Sequence, residues 1–298
     1  MITVFGSTNL DQVGTVSRLP RPGETVAGGT FSMAAGGKGA NQALAARRAG
    51  AEVRHVSAVG ADAFAEPALA LLKADGVDLS SLRTADAATG IAMIFVDTHG
   101  DNVIAALPGA NGTLTPADAE AAVAAMGPDD ILMVQQEIPQ DATARALDAA
   151  RARGITAILN TAPFLETTRD VAGKAAILVA NETEFAWLSG RGIDELDAAM
   201  QDWAKTHDQT VIVTLGPDGA KAATREGLIH VPAMKVTPVD TVGAGDTFCG
   251  YLAAGLDAGL PLEAAMRRAA VAASLACLNP GAQPAIPRAS EVEKAQAA

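Results

Sequence analysis

The chain has 298 residues, and 49% are hydrophobic while only 3% are aromatic, so aliphatic and alanine side chains must fill a large core. A formal net charge of −12 excludes a general affinity for nucleic acid or an anionic membrane surface. No uncharged apolar run reaches the roughly 18 residues of a membrane span, and Met1-Ile2-Thr3-Val4-Phe5-Gly6 lacks the basic-then-apolar pattern of a signal peptide, so a cytoplasmic protein is expected.

The first predicted strand covers 2–5 and runs into Gly6-Ser7-Thr8-Asn9-Leu10-Asp11. Asn9 and Asp11 therefore fall at its carboxyl end, the edge where open parallel sheets bind ligands. Residues 11–33 are strand-like, with no helical pattern. Ala35-Gly36-Gly37-Lys38-Gly39-Ala40-Asn41-Gln42 then opens a helix predicted over 38–49. Its glycines let backbone approach a ligand, and Lys38 and Asn41 carry donors for hydroxyl groups, although helix capping alone also accounts for these residues. It is not a P-loop, because Gly39 stands where Ser or Thr must follow the lysine.

A strand over 53–59 and a helix over 65–74 come next, then a second helix-free stretch at 89–107. There Ile91–Val96 and Asn102–Ile104 flank Asp97-Thr98-His99-Gly100-Asp101, a hairpin turn by composition. The insertions at about 11–33 and 89–107 are expected to pair into a small separate sheet, a water-excluding lid or a packing and dimerisation surface, two roles that can coexist. Beyond them, strands at 131–134, 155–159, 177–179 and 210–215 alternate with helices at 116–126, 141–153, 182–188 and 193–206. This alternation predicts an α/β fold of three α/β/α layers around a mostly parallel sheet, in one domain spanning 1–298. Helices over 246–258 and 261–278 close it. Cys249 and Cys277 lie in apolar helical patterns and read as buried free thiols. His55, His99, His207 and His230 lack zinc-site spacing and read as surface or strand-end residues.

The most informative segment is Val239-Asp240-Thr241-Val242-Gly243-Ala244-Gly245-Asp246-Thr247-Phe248. Small residues ahead of an amphipathic run place unpaired N–H groups at a helix N-terminus, an anion site. A carboxylate there repels phosphate unless its task is to take a proton from a nucleophile, so Asp246 reads as a general base. The same residues also fit a tight turn with Asp246 as a helix cap. Phe248 occupies the third glycine position of a dinucleotide fingerprint and argues against a nicotinamide oxidoreductase.

Gly36-Gly37-Lys38-Gly39-Ala40-Asn41-Gln42 together with Asp240–Phe248 resembles the two signatures of the ribokinase-type sugar kinases. The resemblance runs from Gly6 to about Pro287, with Asn181-Glu182-Thr183-Glu184, Thr214-Leu215-Gly216 and Gly281-Ala282-Gln283-Pro284 in family order. It implies transfer of the γ-phosphate of ATP to the 5-hydroxyl of D-ribose, with 2-deoxyribose or another small sugar as the alternative. Asp246 is then the base, and Gly243, Ala244 and Gly245 form the anion hole. Asn9, Asp11, Gly37, Lys38, Asn41 and Glu137 bind the sugar. Asn181 and Glu184 position phosphate and Mg2+, and Thr214, Gly216 and Gly219 line the nucleotide site. The resemblance also implies K+ bound by Asp240, Val242, Ala276, Asn279, Gly281 and Ala285, with Ala285 standing where these kinases commonly have a ligating serine, and a homodimer joined through the lid. A catalytically silent binding protein on the same fold is the rival, and the intact Asp246 and Gly243-Ala244-Gly245 argue against it.

Overall fold

The computed structural model describes residues 1–99 and 101–297. β1 (Ile2–Phe5) is buried at all four positions, the pattern of a strand covered on both faces. The chain then leaves the main sheet for β2 (Asn9–Thr15) and β3 (Phe31–Gly36), an antiparallel pair. α1 (Lys38–Arg48) leads back to β4 (Val53–Val56), parallel to β1. The expected strand over 53–59 is in fact two. It breaks at Ser57, and β5 (Ala58–Gly60), followed by α2 (Ala65–Ala74), pairs with β6 (Arg83–Ala85) in a separate ribbon. β7 (Gly90–Val96) and β8 (Asn102–Leu107) follow, and Gly100 of the turn between them lies outside the described residues.

Four helix–strand alternations then build the sheet: α3 (Pro116–Ala124) and β9 (Ile131–Val134), α4 (Gln140–Ala152) and β10 (Thr156–Asn160), α5 (Thr168–Ala172) and β11 (Ile177–Asn181), and α6 (Glu182–Ser189) with α7 (Leu196–His207) before β12 (Thr210–Thr214). β13 (Ala220–Thr224) and β14 (Gly227–Val231), absent from the sequence expectations, extend the edge as antiparallel strands. α8 (Ala244–Asp257), α9 (Leu262–Ala276) and α10 (Ala289–Gln296) complete the chain.

The main sheet runs β14-β13-β12-β11-β10-β9-β1-β4, and β3-β2-β7-β8 form a second, four-stranded sheet from the two expected insertions. One apolar core lies beneath α1, α2, α8 and α9, the other beneath α3, α4 and α7. α1 and α8 approach almost backbone to backbone: a Cβ on Gly250 would stand 2.5 Å from Ala45 Cβ and 2.6 Å from the Gln42 carbonyl oxygen. That approach brings the N-terminal turns of the two helices together at the carboxyl edge of the sheet.

Two expectations about polar residues are corrected. His55 is near the end of β4 but fully buried, not at the surface: its Nε2 lies 2.9 Å from Thr8 Oγ1, and burial lowers its pKa to about 4, so it is neutral. Cys249 is a buried thiol, whereas Cys277 is only half-buried.

Candidate active site

Helix α8 begins at Ala244, two residues before the expected start, with Gly243 as its cap at φ 76°. That left-handed conformation suits glycine, and a Cβ would also meet Ala282 at 2.9 Å, so the cap is pressed against the loop after α9. Among the described residues the N–H groups of Gly243, Gly245 and Asp246 have no partner, while that of Ala244 reaches the Thr241 carbonyl at 3.3 Å. Three donors thus remain at the positive end of the helix dipole.

Asp246 is buried in this first turn, and each carboxylate oxygen accepts one amide hydrogen bond. Asn41 Nδ2 donates to Oδ2 and Gln42 Nε2 to Oδ1, both at 2.9 Å. Asn41 Oδ1 is itself buried with no protein partner. Asp246 also holds the Lys38 ammonium above its ordinary range, against the opposing effect of burial, so Lys38 stays a cation. Lys38, Asn160, Asn181, Glu184, Thr214, Gly245 and Asp246 line one cavity of about 180 Å³.

Glu137, three residues beyond β9, ties strand ends to α1. Its Oε2 accepts from Ser7 Oγ at 2.5 Å and from the Lys38 backbone N–H at 2.9 Å. Asn9 opens β2, and its Oδ1 accepts from Asn111 Nδ2 at 2.7 Å; the backbone N–H of Thr8 donates to Asn111 Oδ1 at 2.9 Å. Asn111 therefore holds the junction where the chain passes from main sheet to small sheet. Asp11 lies two residues further along the strand, paired with Ala34 and Ala92 in the ladder. Burial, then the nearby Glu137 and Asp246 carboxylates, raise its pKa to about 7, with Lys38 opposing.

Asn181 and Glu184 form the capping box of α6: Glu184 N–H donates to Asn181 Oδ1 at 2.8 Å and Asn181 N–H to Glu184 Oε2 at 3.1 Å. Thr161 Oγ1 also donates to Glu184 Oε2, at 2.8 Å. These residues are thus at once a helix cap and part of the cavity wall. Thr214, Gly216 and Gly219 edge a second cavity of about 570 Å³, which shares Thr214 and Gly245 with the first. Its remaining walls, Phe248, Ala270, Ala273 and Cys277 among them, escaped the sequence reading, because alanines on an amphipathic helix carry no signal of a cavity.

Asp240 joins two loops, its Oδ1 accepting the Val242 N–H at 3.0 Å and its Oδ2 the Gly281 N–H at 2.8 Å. The carbonyls of Val242, Asn279 and Gly281 accept no hydrogen bond among the described residues, while that of Ala276 accepts the Asn279 N–H at 3.4 Å. Ala285 is buried and contributes no hydroxyl. At the far end of α1, Arg48 Nη1 donates to the carbonyls of Gln283 at 2.9 Å and Ile286 at 2.7 Å, and Arg48 Nε pairs with Asp75 at 2.7 Å.

A buried carboxylate in the first turn of a helix, beside free N–H donors and lining a cavity with Lys38, Asn181 and Glu184, suits phosphoryl transfer to a hydroxyl. Residues 1–289 match the pfkB family of carbohydrate kinases, and the chain belongs to that family. It is 37% identical to the ribokinase of Staphylococcus aureus over 300 residues, 98% of each chain. It is 34% identical to the deoxyribokinase of Salmonella typhi over 291 residues, 96% of this chain and 95% of that one. The structure of Arabidopsis thaliana ribokinase complexed with ribose and ATP superposes with a TM-score of 0.87 at 30% identity, covering 98% of this chain and 97% of that one. No helix among the described residues is long and apolar enough to cross a membrane.

Proposed function

We propose that this enzyme phosphorylates the 5-hydroxyl of D-ribose with ATP, giving ribose 5-phosphate and ADP, in the cytoplasm. The observation that carries the reading is the Asp246 carboxylate, clamped by two amides beside unpaired helix N–H groups. Asp246 takes the hydroxyl proton as the sugar oxygen bonds to the γ-phosphorus and the bond to ADP breaks. The N–H groups of Gly243, Gly245 and Asp246 and the Lys38 cation hold the charge on the transferring phosphoryl group. Asn9, Asp11, Gly37, Lys38, Asn41 and Glu137 hold the sugar, and the free Asn41 Oδ1 accepts from one of its hydroxyls. Asn181, Glu184, Thr214, Gly216 and Gly219 face the nucleotide. The four-stranded sheet acts as the lid of a single domain.

The cavity-lining Glu184 and Asn181 are the residues that would hold magnesium carried with ATP, which would neutralise charge on the nucleotide phosphates. The Asp240 loop fits a hard monovalent cation such as potassium, because Val242, Asn279 and Gly281 offer free carbonyl oxygens beside a carboxylate. The outer face of the lid, with Phe31 66% and Val103 54% exposed, supports a homodimer through that sheet.

Coupled ADP release against ribose, 2-deoxyribose, hexoses and nucleosides tests the substrate, with the highest kcat/KM expected for ribose. The deoxyribokinase relative favours 2-deoxyribose as the second reading. A kcat/KM higher for 2-deoxyribose than for ribose would select it.

A further inference from the structure

Gln42 is 1% exposed and lines neither cavity, yet it touches Asp246. Its Nε2 donates to Asp246 Oδ1 at 2.9 Å and to Asn160 Oδ1 at 3.1 Å, while its Oε1 accepts from Gln135 Nε2 at 2.7 Å. An ionised carboxylate only accepts, so the amino end of the amide must face Asp246. Gln135 donates to the opposite end, which leaves the amide one orientation. Asn160 is fixed in turn, because its Nδ2 donates to the Val179 carbonyl at 3.1 Å. The packing of α1 on α8 fixes the backbone of Asp246 but not the rotation of its carboxylate, a broad and roughly two-fold torsion. Two donors from consecutive residues, one on each oxygen, set that rotation and leave lone pairs on both oxygens for a substrate hydroxyl.

We propose that Gln42 is a positioning residue for phosphoryl transfer, holding the Asp246 carboxylate in plane through a chain of amides, Gln135–Gln42–Asn160, anchored just past the end of β9 and at the end of β10. The proposal rests on the reading of Asp246 as the base. Gln42 touches no substrate and acts wholly through that carboxylate.

The test is a double-mutant cycle of Gln42→Met and Asp246→Asn, read as kcat and KM for ribose and ATP. Gln42→Met should lower kcat roughly 10–100-fold, the cost of a displaced catalytic group, with both KM values unchanged within about threefold. In the Asp246→Asn background the same change should alter kcat by less than about twofold, because residues acting as one unit are not additive. An unchanged kcat in Gln42→Met, an effect falling on KM, or a full loss persisting in the Asp246→Asn background overturns the proposal. Near-parental turnover of Asp246→Asn alone instead removes the base assignment. Should Gln42→Met not fold, Gln135→Met takes its place in the cycle, releasing the amide without touching Asp246. A loss of several-fold that vanishes in the Asp246→Asn background supports the proposal, and no loss or a persistent one overturns it.

Discussion

The seam between α1 and α8 and the small sheet beside it are built on opposite principles. In the seam, alanines and glycines bring two backbones together, and the buried amides of Asn41 and Gln42 point at one carboxylate. In the small sheet, large apolar side chains face outward, and Asp11 shares its surroundings with two further carboxylates. The seam holds both oxygens of the Asp246 carboxylate by amide hydrogen bonds of 2.9 Å. The sheet, as the proposed lid and dimer face, needs only to cover a sugar and meet a partner.

The sharpest way to break this comparison lies in the seam. Asp246→Asn should cut turnover by roughly 10²–10⁴, the usual worth of a general base, while calorimetry finds sugar and ATP still bound. Turnover close to the parent would make the seam merely structural. Gly250→Val comes next: side-chain atoms forced against Ala45 and the Gln42 carbonyl should cost about 1–3 kcal/mol, visible as a lowered Tm. An unshifted Tm would mean that α1 and α8 are not tightly seated.

The sheet should respond differently. Met93→Asp with Phe95→Asp, both on its exposed face, should convert dimer to monomer in light scattering while the Tm changes little. A parent already monomeric at micromolar concentration would count against the interface.

Asp11 gives a pH test with a definite sign. Its pKa is raised from 3.8 to about 7, so the folded enzyme keeps a proton that the unfolded chain releases. That contribution is full below the unfolded value and is lost as pH rises through the folded one. Asp11→Asn should therefore stabilise the sugar-free enzyme relative to the parent on the alkaline side of this range and not on the acid side. Equal Tm differences at both ends would show that Asp11 titrates normally. The smallest effect is expected at the Asp240 loop, where replacing sodium with potassium at constant ionic strength should raise ADP release modestly and Ala285→Ser should enlarge that response. Identical rates with either ion would leave the loop without a cation.

The apolar strands and the α2 boundaries were legible because Ile-Thr-Val-Phe and the Ala65–Ala74 pattern carry strong local periodicity. β13 was not, since Ala-Lys-Ala-Ala-Thr has almost no intrinsic strand preference and is extended because β12 and β14 flank it. The start of α8 is hidden in the sequence because Gly243-Ala244-Gly245 has loop composition, although its second and third residues are already helical. Asp246, Lys38 and Asn41 could be picked out by residue type and spacing. Gln135, Asn160 and Asn111 could not, because their partners lie 93 and 118 positions away in the first two cases and 102 in the third. The nearby Gln42 carried no sign of its role until Asp246, 204 positions on, was seen to meet it.

Helix α1 reaches from the Lys38 and Asn41 end to Arg48, whose guanidinium grips the segment carrying Ala285. One rigid rod of 11 residues, about 16 Å long, thus reaches from the proposed sugar site to the loop proposed for potassium. Thermodynamic reciprocity then binds the two: whatever factor potassium contributes to sugar affinity, the sugar must return to potassium. Titrating the ion with and without sugar measures the same free energy as titrating the sugar with and without ion, and Arg48→Met should shrink both together.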